Sequence, residues 1–136
     1  MAAVGGDIIE ITYNHPTLGS GVFSPKSGED NNYFPGGVTS GSDANMITGN
    51  GKVIRQMNTV RGFFVALCAN DQNQGQDLEK AVALSGNPVA ADWTFSIING
   101  TVYGGSGFPV ADFEGNVNQA TFSLRVEGAK FKKIVG

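Results

Sequence analysis

The chain is poor in the residues that most protein chemistry needs. Its 136 residues contain one cysteine, one histidine and one tryptophan, and only 15% are charged. A lone Cys68 excludes an intramolecular disulfide, and with His15 it is too few for a tetrahedral site of cysteine and histidine, so zinc chemistry is excluded on count. Nucleophilic catalysis needs a positioned base, and the sole imidazole stands between Asn14 and Pro16, a setting that predicts a turn or surface histidine. There is no basic surplus either. A formal charge of −3 argues against gripping phosphates through counterion release, although an acidic wall could face passing DNA without holding it. Residues 1–6 lack the basic and apolar runs of a signal peptide or membrane span, which leads to the expectation of cytoplasmic synthesis.

What is abundant is glycine, at 20 residues, together with aromatics at 10%, a balance that suits short strands joined by tight turns. One domain spanning 1–136 is expected from the length. Residues 8–13 read as a first strand with Ile9, Ile11 and Tyr13 on one face. Residues 17–51 form a long irregular region rich in Gly, Ser, Pro and Asn, with possible short strands at 21–24 and 44–48. Strands are expected at 52–57 and 59–69, the second apolar on both faces: Phe63, Val65 and Leu67 on one side, Phe64, Ala66 and Cys68 on the other. A helix begins with Asp77 as its N-cap, carries Leu78, Ala81, Val82 and Ser85 on one face, and ends at Gly86 and Pro88. It is the best candidate to cover one face of the 59–69 strand.

The last third has the clearest alternation. Trp93, Phe95 and Ile97 interleave with Thr94 and Ser96, and Asn99-Gly100 fits a type I′ hairpin turn before residues 101–103. Phe122, Leu124 and Val126 oppose Thr121, Ser123 and Arg125 in another strand, and residues 130–134 supply a terminal one. The expected fold is mainly β, a barrel or sandwich of antiparallel strands with one short flanking helix.

Local chemistry adds little. Asp112 with Glu114 and Glu29 with Asp30 are carboxylate pairs, read as solvated turn residues. The run Asp71, Asn73, Gly75, Asp77 faintly suggests a cation loop, but the glycine is misplaced for an EF-hand and the closing bidentate Glu is missing. Gly49-Asn50-Gly51-Lys52 is not a phosphate loop, because Met46 stands where the first glycine belongs and Val53 where a hydroxyl belongs; it reads as a hairpin turn. Asn99-Gly100-Thr101 matches a glycosylation sequon that the tight turn explains. No cofactor or metal is expected, and the chain reads as a structural protein, not an enzyme.

From Gly51-Lys52-Val53-Ile54, through Ile98-Asn99-Gly100-Thr101-Val102-Tyr103 and Thr121-Phe122-Ser123-Leu124, to Lys130-Phe131-Lys132-Lys133-Ile134, the chain resembles the tail tube proteins of contractile-tailed bacteriophages. Tailocin and type VI secretion tube proteins are related to these. The resemblance implies a virion protein that assembles as hexameric rings stacked into a hollow tube. Its implied partners are copies of itself, a sheath, baseplate and tail terminator proteins, and genome DNA that passes through the lumen without specific binding. Under this reading the apolar faces of the 63–67 strand, with Phe64 and Ala66, would serve both core and ring contact, and the 29–35 loop, with Glu29, Asp30, Tyr33 and Phe34, would reach the adjacent ring. The rival reading is a carbohydrate- or ligand-binding β module with Trp93, Tyr33 and Tyr103 as its platform, although Trp93 alternates with Phe95 and Ile97 as a core residue does. A carboxylate-only enzyme is a third.

Overall fold

Apolar alternation along the chain builds a strand-dominated molecule. The computed structural model describes residues 4–39, 46–71, 73, 76–110 and 113–135. In order these form β1 (Ile8–His15), β2 (Gly19–Phe23), β3 (Asn32–Phe34), β4 (Gly37–Thr39), β5 (Met46–Ile47), β6 (Val53–Ile54), β7 (Asn58–Val60) and β8 (Gly62–Ala69). The helix α1 (Asp77–Ser85) follows, then β9 (Ala91–Ile97), β10 (Val102–Pro109), β11 (Gly115–Asn116), β12 (Thr121–Gly128) and β13 (Lys132–Val135). The main sheet runs β2-β1-β9-β10-β12-β8-β3, with β11 added to β12 and β13 to β10. Every pairing in it is antiparallel.

The sheet curls until its two ends meet. Phe64 of β8 lies 4.9 Å from Phe95 of β9, and Phe23 of β2 lies 5.8 Å from Phe122 of β12, although neither strand pair is adjacent in the ladder. Beyond β2 the chain bends across to β8, where Ala69 N–H donates to the Ser24 carbonyl and Lys26 N–H to the Leu67 carbonyl, each at 2.8 Å. The strands do not form a continuous closed barrel; the expected mainly β architecture is a curled antiparallel sheet wrapped around one core. Trp93 fills its centre, ringed by Tyr13, Phe23 and Phe64, and its indole N–H donates to the Gly107 carbonyl at 3.1 Å. Burying each such large apolar side chain is worth about 1.5–3 kcal/mol.

One strand serves two neighbours. The second half of β10 pairs with β12 and its first half with β13. Where the β10 and β12 backbones close up, a Cβ on Gly107 would stand 2.5 Å from the Glu127 carbonyl oxygen, so only glycine fits.

Several expectations need correction. In β1 it is Ile8, not Ile9, that is buried, because a bulge against β9 between Ile8 and Glu10 reverses the alternation. The helix is capped by Gln76 in a left-handed conformation, not by Asp77; Leu78 N–H instead finds the Asn70 side-chain oxygen at 3.3 Å, and the Asp77 carboxylate accepts Asp71 N–H at 3.1 Å. Its inward row is Leu78, Ala81 and Leu84, while Val82 and Ser85 face solvent, because α1 packs on β10 rather than over β8. Gly86 ends the helix without a left-handed backbone. The β9–β10 hairpin turns without positive φ at Asn99: Gly100 N–H closes a turn on the Ile97 carbonyl, and Gly100 alone takes φ +92°, which is a type I turn followed by a left-handed glycine and not type I′. Residues 17–51 contain β2 to β5 and are less irregular than expected; the possible strand at 44–48 is described only from residue 46.

His15 is the largest departure. It is the last residue of β1, beside the turn, and it is buried. Its Nδ1 accepts the Thr17 and Leu18 backbone N–H groups, each at 3.1 Å, which leaves Nε2 to carry the proton and donate to the Val89 carbonyl at 3.0 Å. The imidazole thus ties the β1–β2 turn to the loop that enters β9. His15→Ala is expected to lower the unfolding free energy by about 2–4 kcal/mol, since it removes a buried ring together with the hydrogen bonds it makes. A urea melt measures this, and an unchanged midpoint would show that the ring ties nothing together.

Candidate assembly interface

Residues 37–39 and 46–60 form an arm outside the main sheet. At its base β4 pairs with β7, Gly37 opposite Val60 and Val38 opposite Thr59; at its tip β5 pairs with β6 around the turn 48–52. Thr48 N–H donates to the Lys52 carbonyl and Gly51 N–H to the Thr48 carbonyl, so the Gly49-Asn50-Gly51-Lys52 run is a hairpin turn. Neither small sheet joins the main one.

The tip is apolar on both sides. Residues directly opposite in an antiparallel pair share a face, and successive residues alternate. Met46 with Ile54 therefore forms one face and Ile47 with Val53 the other. All four are exposed, Ile47 by 71%, and Val38 and Met57 are exposed elsewhere on the arm. Among the described residues nothing in the body covers either face. Exposed apolar surface of this kind makes the tip a candidate interaction site.

The arm's root, by contrast, is held firmly by one segment, residues 127–131. Glu127 accepts from the Arg61 guanidinium at 2.6 Å and from Arg125 Nε at 2.8 Å. Arg125 in turn lies over the Phe63 ring at 4.4 Å. Gly62 N–H donates to the Ala129 carbonyl at 3.2 Å, Phe131 N–H to the Pro35 carbonyl at 2.7 Å, and Gly36 bridges to Lys130. Both strands entering and leaving the arm are fastened within a few residues. Hydrogen bonds from Arg125 and then Arg61 hold the Glu127 carboxyl below the usual carboxylate range.

The expected contact residues divide between surface and interior. Glu29, half-exposed, pairs with Lys26 at 3.3 Å, and Asp30 is exposed. Tyr33 is 40% exposed; its ring lies 5.4 Å from Phe95 and 5.2 Å from Tyr103, and a hydrogen bond with Tyr103, then burial, raises its hydroxyl pKa. Phe34 sits half-buried on β3 against Phe63. Phe64 and Ala66, at 0% and 1% exposure, lie inside the subunit's own core and offer a neighbour nothing. The face of β8 that reaches the surface is the other one, with Phe63, Val65 and Leu67 half-buried. Trp93 is wholly interior, so the three aromatics proposed as a ligand platform are not brought together on the surface.

The candidate chemical groups are spent locally. Asp71 accepts from Asn73 N–H at 3.0 Å and Asp77 from Asp71 N–H, while Gly75 and Asp112 lie outside the described residues. Among the described residues no three of His, Cys, Asp and Glu converge as a metal site would require. Burial, and then the nearby Asp77 charge, push the Cys68 thiol up to about 12, so it stays a neutral core side chain. No protein-family model matches the chain, and no curated protein matches it.

The apolar arm tip was the one feature sequence reasoning passed over. The doublets Met46-Ile47 and Val53-Ile54 on either side of a Gly-Asn-Gly turn were the signal, since adjacent apolar pairs give a hairpin two greasy faces instead of one. A pH prediction follows from the root. A depressed carboxyl pKa contributes stability that is whole above the unfolded value of about 4.3 and is lost as pH falls through the folded value. Glu127→Gln is expected to flatten that acid limb in pH-dependent melts and to speed amide exchange at Gly62 and Phe131, leaving β1 and β9 unchanged.

Proposed function

We propose that this chain is a structural subunit of a bacteriophage tail tube, joining copies of itself into hexameric rings that stack as a hollow conduit for genome DNA. The observation that carries the reading is the arm: a firmly rooted hairpin whose two apolar tip faces find no cover among the described residues of their own subunit. A tip greasy on both sides needs a slot, not a flat surface, and two neighbouring copies supply one.

Charge favours a second copy as the occupant. Residues 37–60 hold Lys52 and Arg55 against the single acid Asp43, a net of +1, which leaves −4 on the rest of a chain whose total is −3. A basic arm thus meets an acidic body in its neighbour. The open edge of β13 and the half-covered Phe63, Val65 and Leu67 face of β8 add surfaces that ring formation would cover. Sheath, baseplate and terminator proteins would then meet the outside and ends of the tube, and DNA its acidic lumen.

Light scattering after size exclusion, followed by negative-stain microscopy, tests this directly. Rings or long hollow tubes are expected. A compact monomer at high concentration would overturn the reading. The double change Ile47→Asp with Ile54→Asp puts a charge on each tip face, so it is expected to leave the near-ultraviolet dichroism unchanged while raising the concentration needed for assembly by at least about a hundredfold, roughly tenfold per charge.

A further inference from the structure

The chain's sulfur is distributed unevenly. Apart from Met1, its sulfur-bearing side chains are Met46, Met57 and Cys68. Cys68 is buried with its thiol held neutral, and among the described residues the core contains no methionine. Both internal methionines stand on the arm, Met46 54% and Met57 57% exposed. Among the described residues an oxidant reaching the folded subunit therefore meets two accessible thioethers, Met46 on a tip face and Met57 nearer the arm's base.

We propose that Met46 and Met57 form an oxidation site through which peroxide switches the arm from assembly-competent to assembly-incompetent, an inference that rests on the self-assembly reading. The thioether lone pair attacks one oxygen of hydrogen peroxide and the O–O bond breaks as the S–O bond forms. Sulfur is oxidised by two electrons, the peroxide is reduced, and the departing hydroxide takes a proton and leaves as water. The product sulfoxide is polar and a strong hydrogen-bond acceptor. At position 46 it sits beside Ile54 on one tip face, where burial against a neighbour leaves its oxygen unpaired.

Two consequences separate this from general oxidative damage. The body is spared, because among the described residues its core contains no thioether and its thiol is shielded, so the oxidised subunit keeps its fold. Assembly is also protective, since an arm already seated in its slot hides the sulfurs that a free subunit exposes.

The test is to treat purified subunits with hydrogen peroxide before assembly, to treat preformed tubes in parallel, and to locate the added oxygens by peptide mass spectrometry. Oxidised subunits are expected to gain oxygen at residues 46 and 57, to keep their dichroism spectrum, and to need about a tenfold higher concentration to assemble for each buried sulfoxide. Methionine sulfoxide reductases with a thiol reductant should restore assembly, and preformed tubes should oxidise more slowly at both positions. The Met46→Leu, Met57→Leu double variant should assemble with or without peroxide. Normal assembly of doubly oxidised wild type, or equal peroxide sensitivity in the leucine variant, overturns the proposal while leaving self-assembly standing. If untreated protein forms no rings or tubes, both fall together.

Discussion

The packing of the Trp93 indole is the interaction on which the rest of this structure depends. Tyr13, Phe23 and Phe64 come to it from β1, β2 and β8, strands that span most of the width of the sheet, so the ring can be enclosed only if the sheet curls. Right-handed strand twist supplies the direction of that curl, and burial of the aromatic faces supplies the drive. The Gly107 carbonyl that takes the indole proton belongs to β10, whose glycine lets β12 approach closely enough to continue the sheet. Core, curl and strand order are one solution to a single packing problem.

That solution consumes the even-numbered face of β8 and leaves the odd-numbered face half-covered. It also explains why the arm is rooted where it is. Once β12 is fixed beside β8, its end and the following turn present Glu127, Ala129, Lys130 and Phe131 to the two strands that leave the body, and each makes a bond with them. The arm is thus fastened at both feet by hydrogen bonds and an ion pair to this segment.

Much of the chain's behaviour also turns on where unlike residues are kept apart. Aromatic side chains fill the body and both internal methionines stand on the arm; most of the acid lies on the body, and the arm is basic. Such segregation leaves apolar side chains exposed on the arm while the aromatic ones are gathered in the core.

The sequence by itself determined the mainly β class, the single helix, the β9–β10 hairpin, the faces of β12 and the core places of Trp93 and Cys68. Each of these follows from alternation or punctuation that a few neighbouring residues carry, and local pattern is where propensity and burial agree. Only the tertiary structure decided the bulge that buries Ile8 instead of Ile9, the rotation of α1 toward Leu84, the burial of His15 under Val89, and the assignment of Phe64 and Ala66 to the subunit's own core. Those outcomes depend on partners distant in the chain: β9 opposite the bulge, β10 under the helix, the loop after α1 above the imidazole, and Trp93 against Phe64. A strand apolar on both faces tells that both sides can be covered, but which side faces the core is settled by the distant rings it packs against, Trp93 and Phe95 on Phe64.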